Sequence, residues 1–205
     1  LQIAFSLHET VYYVSGEESE EQIKMRADRL DITGGDCYIS TESNISKMLK
    51  DVKNVAPSVL VVDSIQTLYS PSIESTPGTV SQIRECATEL QQFAKATNIA
   101  IFVIGHITKD GAIAGPKLLE HIVDVVLHFE GDRNHVYRIL RTQKNRFGST
   151  NELGIYEMNS LGLQPIHNPS ELLIGSREEA LSGSATGATV DGNRPLLIEV
   201  QALVS

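Results

Sequence analysis

The stretch Val59-Leu60-Val61-Val62-Asp63-Ser64 decides the fold, because four consecutive apolar residues run directly into an aspartate. An all-apolar, mostly β-branched run predicts a strand that is covered on both faces, as in a parallel sheet. Asp63 then lies at the carboxyl end of that strand, which is the edge where open α/β sheets bind ligands. A strand-end aspartate that merely caps the next turn is the alternative interpretation.

Strands and helices alternate around this stretch. Strands are predicted at residues 11–14, 37–40, 59–62 and 99–104, and helices at residues 18–30, 45–55 and 76–97. Helical crossovers between buried strands predict an α/β fold, with a mostly parallel sheet and flanking helices. Later apolar runs predict antiparallel strands at the C-terminal edge of the sheet, at residues 123–129, 136–140, 155–158 and 163–166.

The composition changes after Pro169. Residues 175–193 are rich in Gly, Ser, Ala and Thr, which predicts a linker that we place at residues 169–193. Residues 196–204 then form a fresh strand pattern, for which no partner strand is predicted before the sequence ends.

The overall composition limits the class of protein. The 205 residues are 41% hydrophobic and 21% charged, which is ordinary for a soluble globular chain with one sizeable domain. We find neither an apolar run long enough to span a bilayer nor a secretory signal, so we expect a cytoplasmic protein without a membrane partner. Cys37 and Cys86 lie far apart, outside any metal-binding spacing.

The charge pattern gives a mixed indication about nucleic acids. A formal net charge of −9 argues against a protein that simply coats nucleic acid. One stretch nevertheless carries five basic residues and no acidic one: Arg133, Arg138, Arg141, Lys144 and Arg146. This stretch is a candidate phosphate contact, although composition alone slightly favours a solvated strand face.

Hydrolysis of a nucleoside triphosphate requires a phosphate-cradling loop, a Mg²⁺ site, an oriented water and cations that offset γ-phosphate charge. The sequence contains no G-x-x-x-x-G-K-S/T loop. The run that ends in Asp63 is typical of a Walker B element, whose aspartate helps to hold Mg²⁺.

Two further strand ends carry candidate side chains. Glu17 follows the strand at 11–14, where its carboxylate could polarise water, whereas a capping box formed by Ser15-x-x-Glu18 would make Glu17 a first-turn residue of a helix. His106 follows the strand at 99–104 and could hydrogen-bond a γ-phosphate, although a lone histidine at a strand end is more often structural.

Lys144 and Arg146 are cations two residues apart. On a strand, this spacing places both side chains on one side. Such a pair suits the triphosphate of an adjacent subunit, and an exposed basic turn is the alternative.

Five segments together resemble the bacterial RadA (Sms) family of DNA-repair proteins, within the RecA-like ATPase superfamily. In chain order they are Val14–Ser19, Val62–Thr67, Pro77–Glu85, Gly105–Lys109 and Lys144–Glu152. The Lys-Asn-Arg-Phe-Gly string in the last segment is highly specific to that family. Other RecA-like ATPases, of the circadian-clock or DnaB type, would not be expected to carry it.

The resemblance implies a RecA-like fold and an ATP- and Mg²⁺-dependent motor in DNA repair and recombination. Such a DNA-dependent, helicase-type ATPase would drive branch migration on single-stranded or branched DNA. It would work as a homo-oligomeric ring, a hexamer, and its partner would be the recombinase RecA. A non-catalytic α/β module for assembly or protein binding is the alternative for this chain.

The resemblance also implies roles for individual residues. Asp63 matches the Mg²⁺-associated aspartate, with Ser64 and His106 beside the nucleotide. Glu17 matches the catalytic glutamate, with Glu18 as second choice, and Lys144 and Arg146 match cations that act in trans. The DNA contacts are expected in the loop at residues 107–117, through Lys109 and Lys117, and in the basic stretch, through Arg133 and Arg141.

The family also has parts that this sequence does not contain. Its proteins carry a four-cysteine Zn²⁺ module, a P-loop and a C-terminal Lon-protease-like domain. We therefore expect a truncated chain, with a RecA-like core lacking its P-loop at 1–168, the linker at 169–193 and the start of the Lon-like domain at 194–205. The chain alone is expected to bind ATP poorly and not to hydrolyse it.

Overall fold

The computed structural model describes residues 1–30, 32, 34–106, 115–131, 136–168, 170, 183–191 and 194–202, without the side chains of residues 115–117, 191 and 194. The chain divides into two compact units, Leu1–Val123 and Asp124–Ser205. None of the helices in the described part of the chain combines the length and apolar character needed to cross a membrane.

The first unit is built on a parallel sheet. Its strands, in the spatial order β2-β1-β3-β4, are β1 (Val11–Ser15), β2 (Cys37–Ser40), β3 (Val59–Asp63) and β4 (Ala100–Ile104). The helices are α1 (Gln2–Ser6), α2 (Glu20–Leu30), α3 (Ile45–Val55), α4 (Val80–Thr97) and α5 (Gly115–Ile122). The predicted alternation of strands and helices is confirmed.

Both faces of the sheet are covered at β3, as the apolar run of this strand predicts. Leu60 and Val62 pack in one buried cluster with side chains of α3 and α4, and Val61 packs in a second cluster with side chains of α1 and α2. Because successive strand residues point to opposite faces, a strand between two helical layers needs apolar residues at every position.

The start of α2 differs from its prediction. The helix begins at Glu20, and the capping box is formed by Ser19 and Gln22: the Ser19 N–H donates to Gln22 Oε1 at 2.9 Å and the Gln22 N–H donates to Ser19 Oγ at 3.3 Å. Ser15 belongs to β1 instead. Ser15 Oγ does accept the predicted hydrogen bond from the Glu18 N–H, at 3.1 Å, but because α2 begins only at Glu20 this bond closes the turn before the helix, and Glu17 lies outside the helix.

The start of α4 also differs. The predicted helix includes Pro77 in its first turn, but α4 begins at Val80 after Thr79, whose Oγ1 accepts a hydrogen bond from the Gln82 N–H at 3.4 Å. Gly78 has φ +81°, a left-handed conformation that interrupts a right-handed helix. Pro77 therefore lies in the turn before α4.

In its described residues, the second unit contains two antiparallel sheets. The four-stranded sheet has its strands in sequence order: β5 (Val125–Gly131), β6 (Tyr137–Asn145), β7 (Leu153–Asn159) and β8 (Gly162–Pro165). The predicted antiparallel pairing is confirmed, but the expectation that these strands extend the edge of the parallel sheet is wrong, because in the described residues they form a sheet of their own. Strand β6 extends five residues further than expected.

A separate hairpin changes the interpretation of the last residues. The strand predicted at 196–204 is β10 (Arg194–Gln201), and it pairs antiparallel with β9 (Ser184–Asp191). The prediction that this strand is unpaired is wrong. Residues 184–191, assigned to the linker from their small side chains, form a regular strand because backbone hydrogen bonds do not require large side chains. Their relation to a Lon-like domain stays a prediction.

Candidate functional site

The carboxyl ends of three strands meet at one edge of the parallel sheet. In the strand register, Ser15 of β1 pairs with Asp63 of β3, and Asp63 pairs with Ile104 of β4. Residues at and just beyond these strand ends therefore lie side by side, as predicted for Asp63, Glu17 and His106.

Glu17 is in direct contact with Ser64 and His106. Ser64 Oγ donates a hydrogen bond to Glu17 Oε1 at 2.7 Å, and His106 Nε2 lies 3.1 Å from the same oxygen. Ser64 is fully buried, whereas the side chains of Glu17 and His106 are 44% and 56% exposed. The Glu17 carboxylate is thus held from two strands while it faces solvent.

Gly16 permits this approach between β1 and the turn after β3. Its N–H donates to the backbone oxygen of Asp63 at 3.1 Å, and a Cβ atom at this position would lie 2.1 Å from Thr67 Oγ1. Thr67 Oγ1 is itself engaged, since it donates to the backbone oxygen of Ser64 at 2.7 Å. A glycine is therefore required by close packing at this point.

Asp63 has a partner that the sequence analysis missed. The fully buried Tyr13 of β1 donates its hydroxyl to Asp63 Oδ2. Burial, followed by the hydrogen bond to Asp63, raises the pKa of Tyr13 well above its ordinary value, so that the phenol stays neutral and remains a donor. The sequence feature that could have predicted this contact is the position of Tyr13 in a buried strand, on the same face of the sheet as Val61 and Asp63.

We expect Tyr13→Phe to lower the free energy of unfolding by about 1–3 kcal/mol, since the partly buried Asp63 loses the donor to its Oδ2. Urea unfolding of the chain at pH 7 measures this change. Tyr12→Phe is the matched control, because Tyr12 lies next in β1 but on the opposite face. Equal losses for the two variants would contradict a specific role of the Tyr13 hydroxyl.

Glu18, the second choice for the catalytic acid, has a different environment. Its carboxylate forms an ion pair with Arg26 on α2. The Glu18 side chain is therefore directed towards the helix, whereas Glu17 is directed towards Ser64 and His106.

The donor set is compatible with Mg²⁺ held together with a nucleotide. Among the described residues, no three His, Cys, Asp or Glu side chains are grouped so that they could bind a metal by themselves. Mg²⁺ needs no such cage, because it is commonly held by one or two carboxylates, water and substrate phosphates. Asp63 fits that requirement, with Tyr13 orienting one of its oxygens.

The paired cations lie in the second unit. Lys144 is on β6, opposite Val126, whereas Arg146 lies beyond the end of β6. Arg146 is tied to Asp124 twice, through its backbone N–H to the Asp124 carbonyl at 3.1 Å and through its guanidinium to Asp124 Oδ1 at 2.9 Å. The expectation that both cations share one side of a strand therefore does not hold for Arg146, which is oriented by Asp124.

The predicted DNA contacts are only partly described. Lys109 and Arg133 lie outside the described residues, and so does the side chain of Lys117. Arg141 is on β6, where its Nε lies 3.5 Å from Glu130 Oε2. An acidic neighbour thus offsets part of the positive charge that the sequence assigned to this strand.

Solved structures share the fold of the chain. A KaiC-like protein from Pyrococcus horikoshii OT3 matches with a TM-score of 0.55 and 17% identity, covering 77% of this chain and 76% of that chain. The RadB recombinase matches with a TM-score of 0.53 and 17% identity, covering 78% of this chain and 80% of that chain. The chain has a RecA-like α/β fold.

Curated relatives are much closer in sequence. The DNA repair protein RadA of Listeria monocytogenes is 54% identical over 195 residues, 95% of this chain and 43% of that protein. RadA of Streptococcus pneumoniae is 51% identical over 207 residues, 100% of this chain and 49% of that protein. No protein-family model matches the chain. The predicted resemblance is confirmed: the chain is RadA-related over nearly its whole length, and it spans less than half the length of these relatives.

Proposed function

We propose that the full-length protein carrying this sequence is a DNA-repair and recombination motor driven by ATP and Mg²⁺. The observation that carries this proposal is the contact of Glu17 with both Ser64 and His106, beside Asp63, at the carboxyl edge of a RecA-like sheet. The RadA relatives and the RecA-like neighbours support the same role.

Bound Mg²⁺-ATP would supply the phosphoryl group that water attacks. Asp63 would hold the metal, with its carboxylate oriented by the Tyr13 hydroxyl at Oδ2. Glu17 would orient the attacking water through Oε2, because Oε1 is used by Ser64 and His106. Ser64 thus acts by positioning Glu17. His106 would in addition donate a hydrogen bond to the terminal phosphate.

We assign Lys144 and Arg146 to the nucleotide of a neighbouring subunit in a homo-oligomeric ring, where they offset charge on the transferred phosphoryl group. Lys109, Lys117, Arg133 and Arg141 are assigned to phosphates of single-stranded or branched DNA. The proposal also includes branch migration by a hexamer, helicase-type activity, partnership with RecA and a cytoplasmic location.

Salt-dependent binding of single-stranded DNA tests this function in the full-length protein. We expect affinity that falls steeply with salt, with log K against log salt changing by about −0.7 for each phosphate contacted. We also expect a non-hydrolysable ATP analogue to change this affinity. Asp63→Asn is the matched variant, which should keep the salt dependence and lose the response to nucleotide. A non-catalytic assembly module would show neither behaviour.

A further inference from the structure

Gln66 connects the two strand ends on which the candidate site depends. It lies in the 3₁₀ turn Ile65–Thr67, three residues after Asp63. Its Nε2 donates to the backbone oxygen of His106 at 3.3 Å. The turn after β3 therefore acts on His106 in two ways. Gln66 binds its main chain directly. Ser64, at the start of the turn, binds Glu17, and Glu17 in turn contacts the imidazole ring.

The Gln66 amide has apolar neighbours where it approaches the main chain of Gly105. A Cβ atom built on Gly105 would lie 3.7 Å from Leu119 Cδ1, 3.8 Å from Gln66 Nε2 and 4.0 Å from Ile65 Cγ2. These distances place the Gln66 amide beside the main chain of Gly105, among apolar side chains.

The oxygen of the Gln66 amide argues against a purely structural role of this side chain. Within the described part of the chain, Gln66 Oε1 is buried and accepts no hydrogen bond. A buried oxygen without a donor destabilises a fold, and an apolar side chain of similar length would avoid that penalty. Packing alone therefore does not account for a glutamine at this position, whereas the donor that it offers to His106 does.

We propose that Gln66 is a positioning residue, which holds the main chain of His106 so that the imidazole stays on Glu17. It thereby links the metal-binding end of β3 to the phosphate-facing end of β4. This inference rests on the proposed function, because its consequence is the orientation of the carboxylate that directs the attacking water.

Gln66→Met in the full-length protein tests the inference by kinetics. Because small misplacements of catalytic groups reduce turnover strongly, we expect kcat to fall about tenfold while KM for ATP stays within about twofold. The thermal midpoint should not fall, since the variant removes the unpaired oxygen together with the donor. Gln91→Met is the matched control, because Gln91 Nε2 donates to the backbone oxygen of Ile122, away from the strand ends.

A double-variant cycle shows whether Gln66 acts through His106. If it does, Gln66→Met combined with His106→Ala should be no slower than His106→Ala alone. Losses that multiply would overturn the inference, and so would a Gln66→Met variant with unchanged kcat.

The ring resonances of His106 give a readout that does not depend on ATP hydrolysis. In ¹⁵N NMR spectra of the chain, we expect Gln66→Met to shift the ring nitrogens of His106 and Gln91→Met to leave them unchanged. Unmoved resonances in Gln66→Met would overturn the positioning role. Absence of ATP hydrolysis by the wild-type full-length protein would overturn the proposed function instead, and the two failures are thus distinguishable.

Discussion

Glu17→Gln should reduce the kcat of the full-length protein for ATP by at least about 100-fold, the lower end of what a positioned general base contributes. The substitution keeps the size of the side chain and its ability to accept a hydrogen bond from Ser64 Oγ. It removes the negative charge that accepts the proton of the attacking water. Nucleotide affinity should change little, because the assigned metal ligand, Asp63, is untouched.

Two measurements check this expectation: steady-state ATP hydrolysis, and equilibrium binding of a fluorescent ATP analogue. Glu18→Gln is the comparison that decides between the two candidate acids. Since Glu18 is paired with Arg26 on α2, we expect its substitution to have the smaller effect. A larger loss of kcat for Glu18→Gln than for Glu17→Gln would transfer the catalytic role to Glu18.

Arg146→Ala should reduce kcat by about 1,000-fold, the lower end of the effect of an arginine that acts in trans. ATP binding should be retained, because the arginine is assigned to the nucleotide of the neighbouring subunit. The guanidinium is already paired with Asp124 Oδ1 at 2.9 Å, so its loss also removes an ion pair. Asp124→Asn separates these effects, because it weakens the pair and keeps the arginine.

A mixing experiment tests the assignment in trans. Rings of Arg146→Ala subunits lack the cation, and rings of Glu17→Gln subunits lack the catalytic acid. In mixed rings, the intact site of an Arg146→Ala subunit can receive Arg146 from a Glu17→Gln neighbour, so ATP hydrolysis should return. Mixed rings as inactive as either variant alone, or loss of ATP binding in Arg146→Ala, would contradict action in trans.

The fold of the first unit was predictable from local patterns. The apolar run of β3, the helical spacing of α3 and the alternation of strands and helices define a parallel α/β sheet. Hydrophobic periodicity reports local conformation and burial, and both are strong at these positions. The same patterns placed Asp63, Glu17 and His106 at one edge of the sheet, since parallel strands share the direction of their ends.

Element boundaries and the weakly patterned regions were less predictable. The capping box of α2 is formed by Ser19 rather than by the predicted Ser15, whose Oγ accepts from the Glu18 N–H in the turn before the helix. The hairpin of β9 and β10 also escaped prediction. Its first strand has small side chains, and its pairing depends on backbone hydrogen bonds that leave no trace in composition.

Hydrophobic patterning and strand direction were therefore enough to define the parallel sheet and the edge at which its polar residues collect. The contacts within the site were decided in three dimensions: Tyr13 on Asp63, Ser64 and His106 on one oxygen of Glu17, and Gln66 on the main chain of His106. These partners lie 40 to 50 residues apart along the chain, apart from His106 and Glu17, which are still more distant. They meet only because three strands pair in one register, and no local pattern encodes which polar atoms that register brings together.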